Sequence, residues 1–369
     1  MWTHTITAFA LSAGMLLYTA RFALVGMTLF FVLSGFVIHY NYGEDVAGLR
    51  FGQLRKFGVA RLARLYPLYL LALCFYFLVA GTRHSFDLHT FAGAWPFYLT
   101  LTQSWFPIHT GDGYLAVLYL SGAWSISAEV LLYLFYLAIA WAICSLRTSR
   151  AAAAALAVLV AGATLVYGGH AMGFWLTGVE PEWGFYLSPY CRIAEFLLGA
   201  LTAACYQQSS RQRPQPEFGL GGAALLLGGA AWLVIVYTLA YNQRFGSVFR
   251  TFQTSWGFAP GIAALLYFFA RYRTRLSWLV ENRLVLGLGD ASYSLYLLAP
   301  FVFGLSHRAA FGDAGWLVTV RALAAWVLAA LVAVVCYRYY EMPARRMVRR
   351  VFAGGPPQPM DAARLGRIA

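Results

Sequence analysis

Apolar residues in this chain come in long blocks, not in the alternation of a half-buried strand or the one-sided stripe of a soluble helix. A helix that crosses a bilayer needs about 20 mostly apolar residues. Such runs lie near 23–42, 62–80, 124–144, 152–169, 189–205, 219–240, 256–271, 284–305 and 316–339, which predicts nine crossings. Two apolar stretches are left over: 3–19, and 92–104, which is short and interrupted by polar residues. In hydrocarbon every backbone N–H and C=O must find a partner inside the protein. The expected fold is therefore all-α, a polytopic transmembrane helical bundle.

The basic residues test this list, because Lys and Arg collect in short cytoplasmic loops. One set of connections holds Arg50, Arg55, Lys56, Arg61 and Arg64; then Arg147 and Arg150; Arg211 and Arg213; Arg271, Arg273, Arg275 and Arg283; and a tail with Arg338, Arg345, Arg346, Arg349, Arg350, Arg364 and Arg367. The alternation survives only if 92–104 does not cross, so that stretch is read as re-entrant or interfacial. The same logic puts the C-terminus in the cytoplasm, residue 22 outside and the N-terminal segment near the outer face, with an initial inside-to-outside crossing missing. The expectation is a bundle of about ten helices with the first truncated: one transmembrane domain over 1–343 and a basic cytoplasmic tail over 344–369.

Composition agrees. The chain is 61% hydrophobic and 11% charged with mean hydropathy +0.63, outside the range of soluble domains. Its net charge of +13 is spread between apolar runs, which reads as topology and not as a nucleic-acid surface. The five cysteines, Cys74, Cys144, Cys191, Cys205 and Cys336, lack metal-ligand spacing and are expected to be inert core residues. No bound metal and no bound cofactor is expected. A G-x-S-x-G elbow, a Walker loop and a G-x-G-x-x-G turn are all missing, so a soluble hydrolase, an ATPase and a nucleotide oxidoreductase find no support.

Ionisable groups inside spans are expensive and point to function. The sequence places His4, Glu129, Arg192, Glu195 and Arg321 towards the outer face and Arg61, Arg64, Asp290 and Glu341 towards the inner one. Ser125 and Glu129 share a helical face at i, i+4. Arg192 and Glu195, at i, i+3, are placed to pair, either as an interhelical polar clamp or as part of a site. His4 has the chemistry of a general base for a hydroxyl. Arg61 and Arg64 suit phosphate recognition or plain anchoring at the membrane boundary, with Asp290 and Glu341 near enough to balance them. The remaining histidines lack the pairing a metal site requires.

Several of these stretches together resemble the acyltransferase 3 family, bacterial membrane enzymes that O-acylate sugars, polysaccharides, lipopolysaccharide and small natural products. Gly26 to Phe36 resembles the family's Gly-Val-Asp-Leu-Phe-Phe-Val-Leu-Ser-Gly-Phe, and Arg61 to Tyr69 its Arg-x-x-Arg-Ile-Tyr-Pro-Leu-Tyr. Trp124 to Glu129 is similar to Trp-Ser-Leu-Ser-Val-Glu, Arg192 to Gly199 to an Arg-x-x-Glu-Phe-x-x-Gly segment, Gly289 to Leu297 to Gly-x-x-Ser-Tyr-Ser-Leu-Tyr-Leu, and Tyr340 to Pro343 to a closing Glu-x-Pro. Six matches in one order run nearly end to end. Thr28 stands at the position of a usual Asp, and Ala299 where many members have His. The family also has an arginine ten residues before its histidine, a position this chain does not reach, which fits the expectation of a truncated first helix.

The resemblance implies an acyl-CoA co-substrate, acetyl-CoA in the simplest case, with its phosphates near Arg61 and Arg64. His4 falls at the family's catalytic histidine; Glu129 would support it, and Ser127 or Arg192, with Glu195 beside it, would serve the oxyanion and acceptor. The implied acceptor is a carbohydrate or other hydroxyl compound, and the implied location the bacterial cytoplasmic membrane. Transfer in one stage or two remains open at this level. The alternative is a multi-span transporter or flippase of a glycan or small anionic solute, for which no paired internal repeat is found. A non-catalytic membrane scaffold is a third reading.

Overall fold

A computed structural model of the chain describes residues 13–81, 88–111, 113–174, 183–212, 218–240, 252–275, 277–308 and 315–353. The helices are α1 (Ala13–Ala47), α2 (Phe51–Gly81), α3 (Leu88–Thr100), α4 (Ala123–Cys144), α5 (Ser149–Ala171), α6 (Pro189–Gln212), α7 (Leu220–Leu239), α8 (Ala259–Arg271), α9 (Ser277–Glu281), α10 (Arg283–Asp290), α11 (Ser292–Arg308), α12 (Gly315–Cys336) and α13 (Met342–Ala353). The only described strands are the two-residue β1 (His109–Thr110) and β2 (Gly113–Tyr114), paired antiparallel. The described fold is all-α.

Among the described residues six stretches are long and apolar enough to cross a bilayer: Val25–Ala47, Phe51–Val79, Ala123–Cys144, Ser149–Ala171, Leu220–Leu239 and Val320–Phe352. A seventh is the pair Arg283–Asp290 and Ser292–Phe303, bent by 72°. Two of the nine predicted crossings thus fall outside this set. One, α8, is a 13-residue helix preceded by a π-turn at Gln253–Gly257. The other, α6, carries Arg192 and Glu195 and ends in a polar run, yet most of its residues are buried. A helix wrapped by other helices can hold such groups because its partners, and not lipid, are its solvent.

The core is a parallel trio of α1, α4 and α6. Gly35 and Gly199 let α1 and α6 touch backbone to backbone. A Cβ at Gly35 would stand 1.9 Å from the Phe196 carbonyl oxygen, and one at Gly199 1.8 Å from the Val32 carbonyl oxygen. Glycine therefore sets the separation of this pair, as small residues do in membrane bundles generally. The register continues down the pair, where Gln207 donates to the Tyr40 carbonyl (3.3 Å) and Arg211 pairs with Glu44 (2.7 Å). Against α4, Phe31 meets Trp124, Ser34 meets Glu129 (2.9 Å) and His39 meets Tyr136 (2.8 Å), again in parallel order.

Parallel α1 and α4 are possible only if one crossing, α2, lies between them. Accordingly α3 runs back alongside α2, with Phe91 packed on Phe77 and the Tyr66 hydroxyl donating to Leu99 O (2.6 Å). The chain then turns at 101–105 and returns to the level of Phe77, which Tyr119 meets edge-on at 5.0 Å. This is the re-entrant path that the basic residues predicted for 92–104.

At the opposite end the basic residues tie helices together. Arg271 donates to Ser209 O (3.2 Å), and Arg55 to Phe352 O (2.8 Å). The tail boundary drawn at 343 falls inside α13, which follows α12 through a π-turn at Tyr337–Glu341 and packs along α2, with Tyr340 OH donating to Pro67 O (3.1 Å). The first turns of the tail are thus part of the bundle.

The α1–α6 contact yields a stability test. Gly199→Ala is expected to lower the thermal midpoint of the solubilised protein by the equivalent of about 1–3 kcal/mol, the usual cost of overpacking. Gly199→Val should lower it further. Gly26→Ala, with nothing within 4 Å of the new carbon, should leave it unchanged in the same melting experiment.

Candidate functional site

His4 lies outside the described residues. Of the other residues singled out by the sequence, Arg192, Glu195, Glu129 and Arg61 fall along one buried polar seam where α1, α2, α4 and α6 meet, while Asp290, Arg321 and Glu341 lie apart from it.

At its outer end sits the Arg192–Glu195 pair, exposed by 1% and 0%. Arg192 Nη1 donates to both carboxylate oxygens (3.1 and 3.2 Å), while Nε and Nη2 donate to the Tyr186 carbonyl (3.2 and 2.9 Å). The rings of Tyr186, Phe31 and Trp124 surround the guanidinium at 5.2, 5.5 and 5.7 Å. The buried Thr28 hydroxyl hydrogen-bonds Glu195, where an aspartate would set a second carboxylate beside the first. Arg192 and Glu195 thus pair within α6, as their i, i+3 spacing led one to expect.

One helical turn further in, Glu129 is 1% exposed. Its Oε1 accepts from Ser34 Oγ (2.9 Å) and from the Tyr133 hydroxyl. Two hydrogen bonds to one oxygen fix the carboxylate's rotamer. The sequence grouped Glu129 with Arg192, but the fold links it inward: the Tyr133 ring lies 5.7 Å from the Arg61 guanidinium, and Glu129 is within electrostatic range of it.

Ser127, fully buried, faces the tip of the re-entrant loop. Its Oγ accepts from Ser104 N (3.1 Å) and Ser104 Oγ (2.9 Å), leaving its own hydrogen to donate. Trp105 Nε1 donates to Ser127 O and Trp183 Nε1 to Ser104 O (3.0 and 3.2 Å), so two indoles brace the tip. Ser125 bonds elsewhere, to Tyr296 OH (2.9 Å).

Arg61 is only 8% exposed. The rings of Tyr42 and Phe57 stand 4.7 and 5.8 Å away, and Tyr42 takes a hydrogen bond, but Nε and Nη1 have no partner among the described residues. Arg64 is half-buried on the adjoining face. Glu341 is bound by Ser294 Oγ and by Arg345, within electrostatic range of Arg64. Asp290 is exposed and Arg321 half-buried.

Sequence reading passed over Ser34, Ser104, Tyr133 and Tyr186. Tyr133 carried a signal, being one turn from Glu129 at i, i+4 on the same face. Ser34 and Ser104 meet their partners through tertiary contacts alone, and Tyr186 lies six residues before Arg192.

A family model described as an acyltransferase domain matches residues 1–338. No curated protein and no solved structure matches.

The Arg192–Glu195 pair has a measurable signature. Removing one partner of a buried pair typically costs about 3–5 kcal/mol, whereas replacing both with apolar residues costs much less. Arg192→Met and Glu195→Leu singly should each depress the thermal midpoint strongly, and the double variant should recover most of the loss.

Proposed function

The chain belongs to the acyltransferase 3 family and is a multi-pass membrane acyltransferase; from that premise we propose that it transfers an acyl group, acetyl from acetyl-CoA, to a hydroxyl of a sugar, polysaccharide, lipid-linked glycan or small natural product. The observation that carries this reading is the seam itself: a buried carboxylate held by two hydroxyls, and inward of it an arginine with an unpaired edge.

The end rich in Arg and Lys faces the cytoplasm of a bacterial cell, by the positive-inside rule, so the C-terminus lies there too and the membrane is the cytoplasmic one. The donor enters from that end. Arg61 and Arg64 hold its phosphates, with the planar forks of arginine matching phosphate oxygens. The thioester arm then extends along the seam towards Glu129. Because Glu129 and Tyr133 bridge the inner and outer layers, a one-stage transfer needs no carrier between opposite faces.

In this reading His4, supported by Glu129, removes the acceptor's proton as its oxygen attacks the thioester carbon. The new C–O bond leaves charge on the carbonyl oxygen, to which Ser127 donates. Collapse breaks the C–S bond, and the departing thiolate takes the proton held on the imidazole. Arg192 and Glu195 position Trp124 and Tyr186 around this space.

The test is turnover of acetyl-CoA by the purified chain against pooled glycan acceptors, followed as thiol release. His4→Ala and Glu129→Gln should each lower turnover by about 10²–10⁴, the range of general-base assistance, at unchanged gel-filtration profile. Wild-type turnover retained by His4→Ala would remove the histidine from the role of base.

A further inference from the structure

The last described helix, α13, begins beyond the residues that the family model matches, yet it lies against α2 at the level of the Arg61–Arg64 pair. Its sequence, Met-Pro-Ala-Arg-Arg-Met-Val-Arg-Arg-Val-Phe-Ala, sorts four arginines by helical face. Arg346 and Arg350 are exposed. Arg345 and Arg349, at i, i+4, turn inward and are half-buried. A topology signal is satisfied by charges that face water. It does not require guanidinium nitrogens sealed from solvent, and here Arg345 Nε and Arg349 Nε are both buried without a hydrogen-bond partner among the described residues.

Leaving donors of a cationic group buried and unpaired is unfavourable, and the fold satisfies them elsewhere, as at Arg192. Arg345 is held by Glu341, which Ser294 also binds, and lies within electrostatic range of Arg64. The cluster therefore joins the interior face of α13 to the arginines of α2, with Nε and Nη1 of Arg61 unpaired as well. Four guanidinium groups against two nearby carboxylates, Glu341 and Glu129, leave an excess of positive charge, which calls for a multiply charged anion.

We propose that Arg345 and Arg349 extend the donor site of α2 and bind the ribose 3′-phosphate of the acyl-CoA, so that the enzyme selects a coenzyme A thioester over one lacking that phosphate. This rests on the acyl-CoA reading above. Two arginines match the diphosphate, and two more match the third phosphate; Glu341 acts as a positioning residue that keeps Arg345 in line until the donor arrives. The same cationic chemistry would also accept an anionic lipid headgroup at the membrane surface, and the experiment separates the two.

The full chain is reconstituted in phosphatidylcholine nanodiscs, and the affinities of CoA and 3′-dephospho-CoA are compared. Wild type should prefer CoA by about tenfold or more, as expected for charge-assisted phosphate contacts. Arg349→Gln and Arg345→Gln should each shrink that preference to about twofold, while Arg349→Lys, which keeps the charge, should retain part of it. Thermal midpoints establish that the variants are folded.

Equal wild-type affinity for the two nucleotides would overturn the inference while leaving the acyltransferase reading intact. So would an equal loss of both affinities in folded Arg349→Gln. A preference that vanishes when phosphatidylglycerol is added to the nanodiscs would assign the site to lipid instead. Failure of wild type to bind either nucleotide would remove the acyl-CoA reading itself, and this inference with it.

Discussion

The backbone contact between α1 and α6 at Gly35 and Gly199 is the constraint from which the interior follows. Between lipid-facing helices there is no hydrophobic force to draw two helices together, so van der Waals packing and buried hydrogen bonds must do so. Two glycines facing each other remove the side chains that would hold the axes apart. Once the backbones meet, Phe31 closes over Arg192, Thr28 reaches Glu195, and the next turn of α1 brings Ser34 to Glu129. The spacing of one helix pair thereby decides which polar groups find partners in the core.

Buried charge is handled in two ways along the seam. At Arg192 the fold supplies an acceptor for each arm of the fork and three aromatic faces around it, the arrangement that lets an ion pair persist without water. At Arg61 the aromatic faces are present but an edge of the guanidinium is left open. The first arrangement is complete in the protein alone. The second leaves donors to spare, and on the proposed function its position between the basic end and Glu129 gives the seam a direction, from the side of the donor to the side of the acceptor.

The re-entrant helix α3 contributes in a different manner. Placing its tip at 101–105 inside the bundle carries non-helical backbone into the core, where each polar group needs a protein partner. Tyrosine hydroxyls from α2 and the indoles of Trp105 and Trp183 meet that need, and the result is a buried hydroxyl pair, Ser104 with Ser127. A segment too short to cross instead furnishes a polar surface that a regular span would have left apolar.

Much of the architecture was written in the chain. Apolar run length marked seven of the spans, and the placement of Lys and Arg foretold that 92–104 would turn back, because both signals depend on transfer between water and lipid, which each residue type carries with it. The i, i+3 spacing of Arg192 and Glu195 foretold their pairing for an equally local reason, since one helix holds both. Whether α6 meets lipid or protein is not a local property, and neither is the choice of Glu129 between Arg192 above and Tyr133 and Arg61 below. Nor could composition tell the inward arginines of α13 from the outward ones. Those outcomes depend on how close two backbones come and how neighbouring helices are rotated, quantities that exist only after residues distant in sequence have packed together.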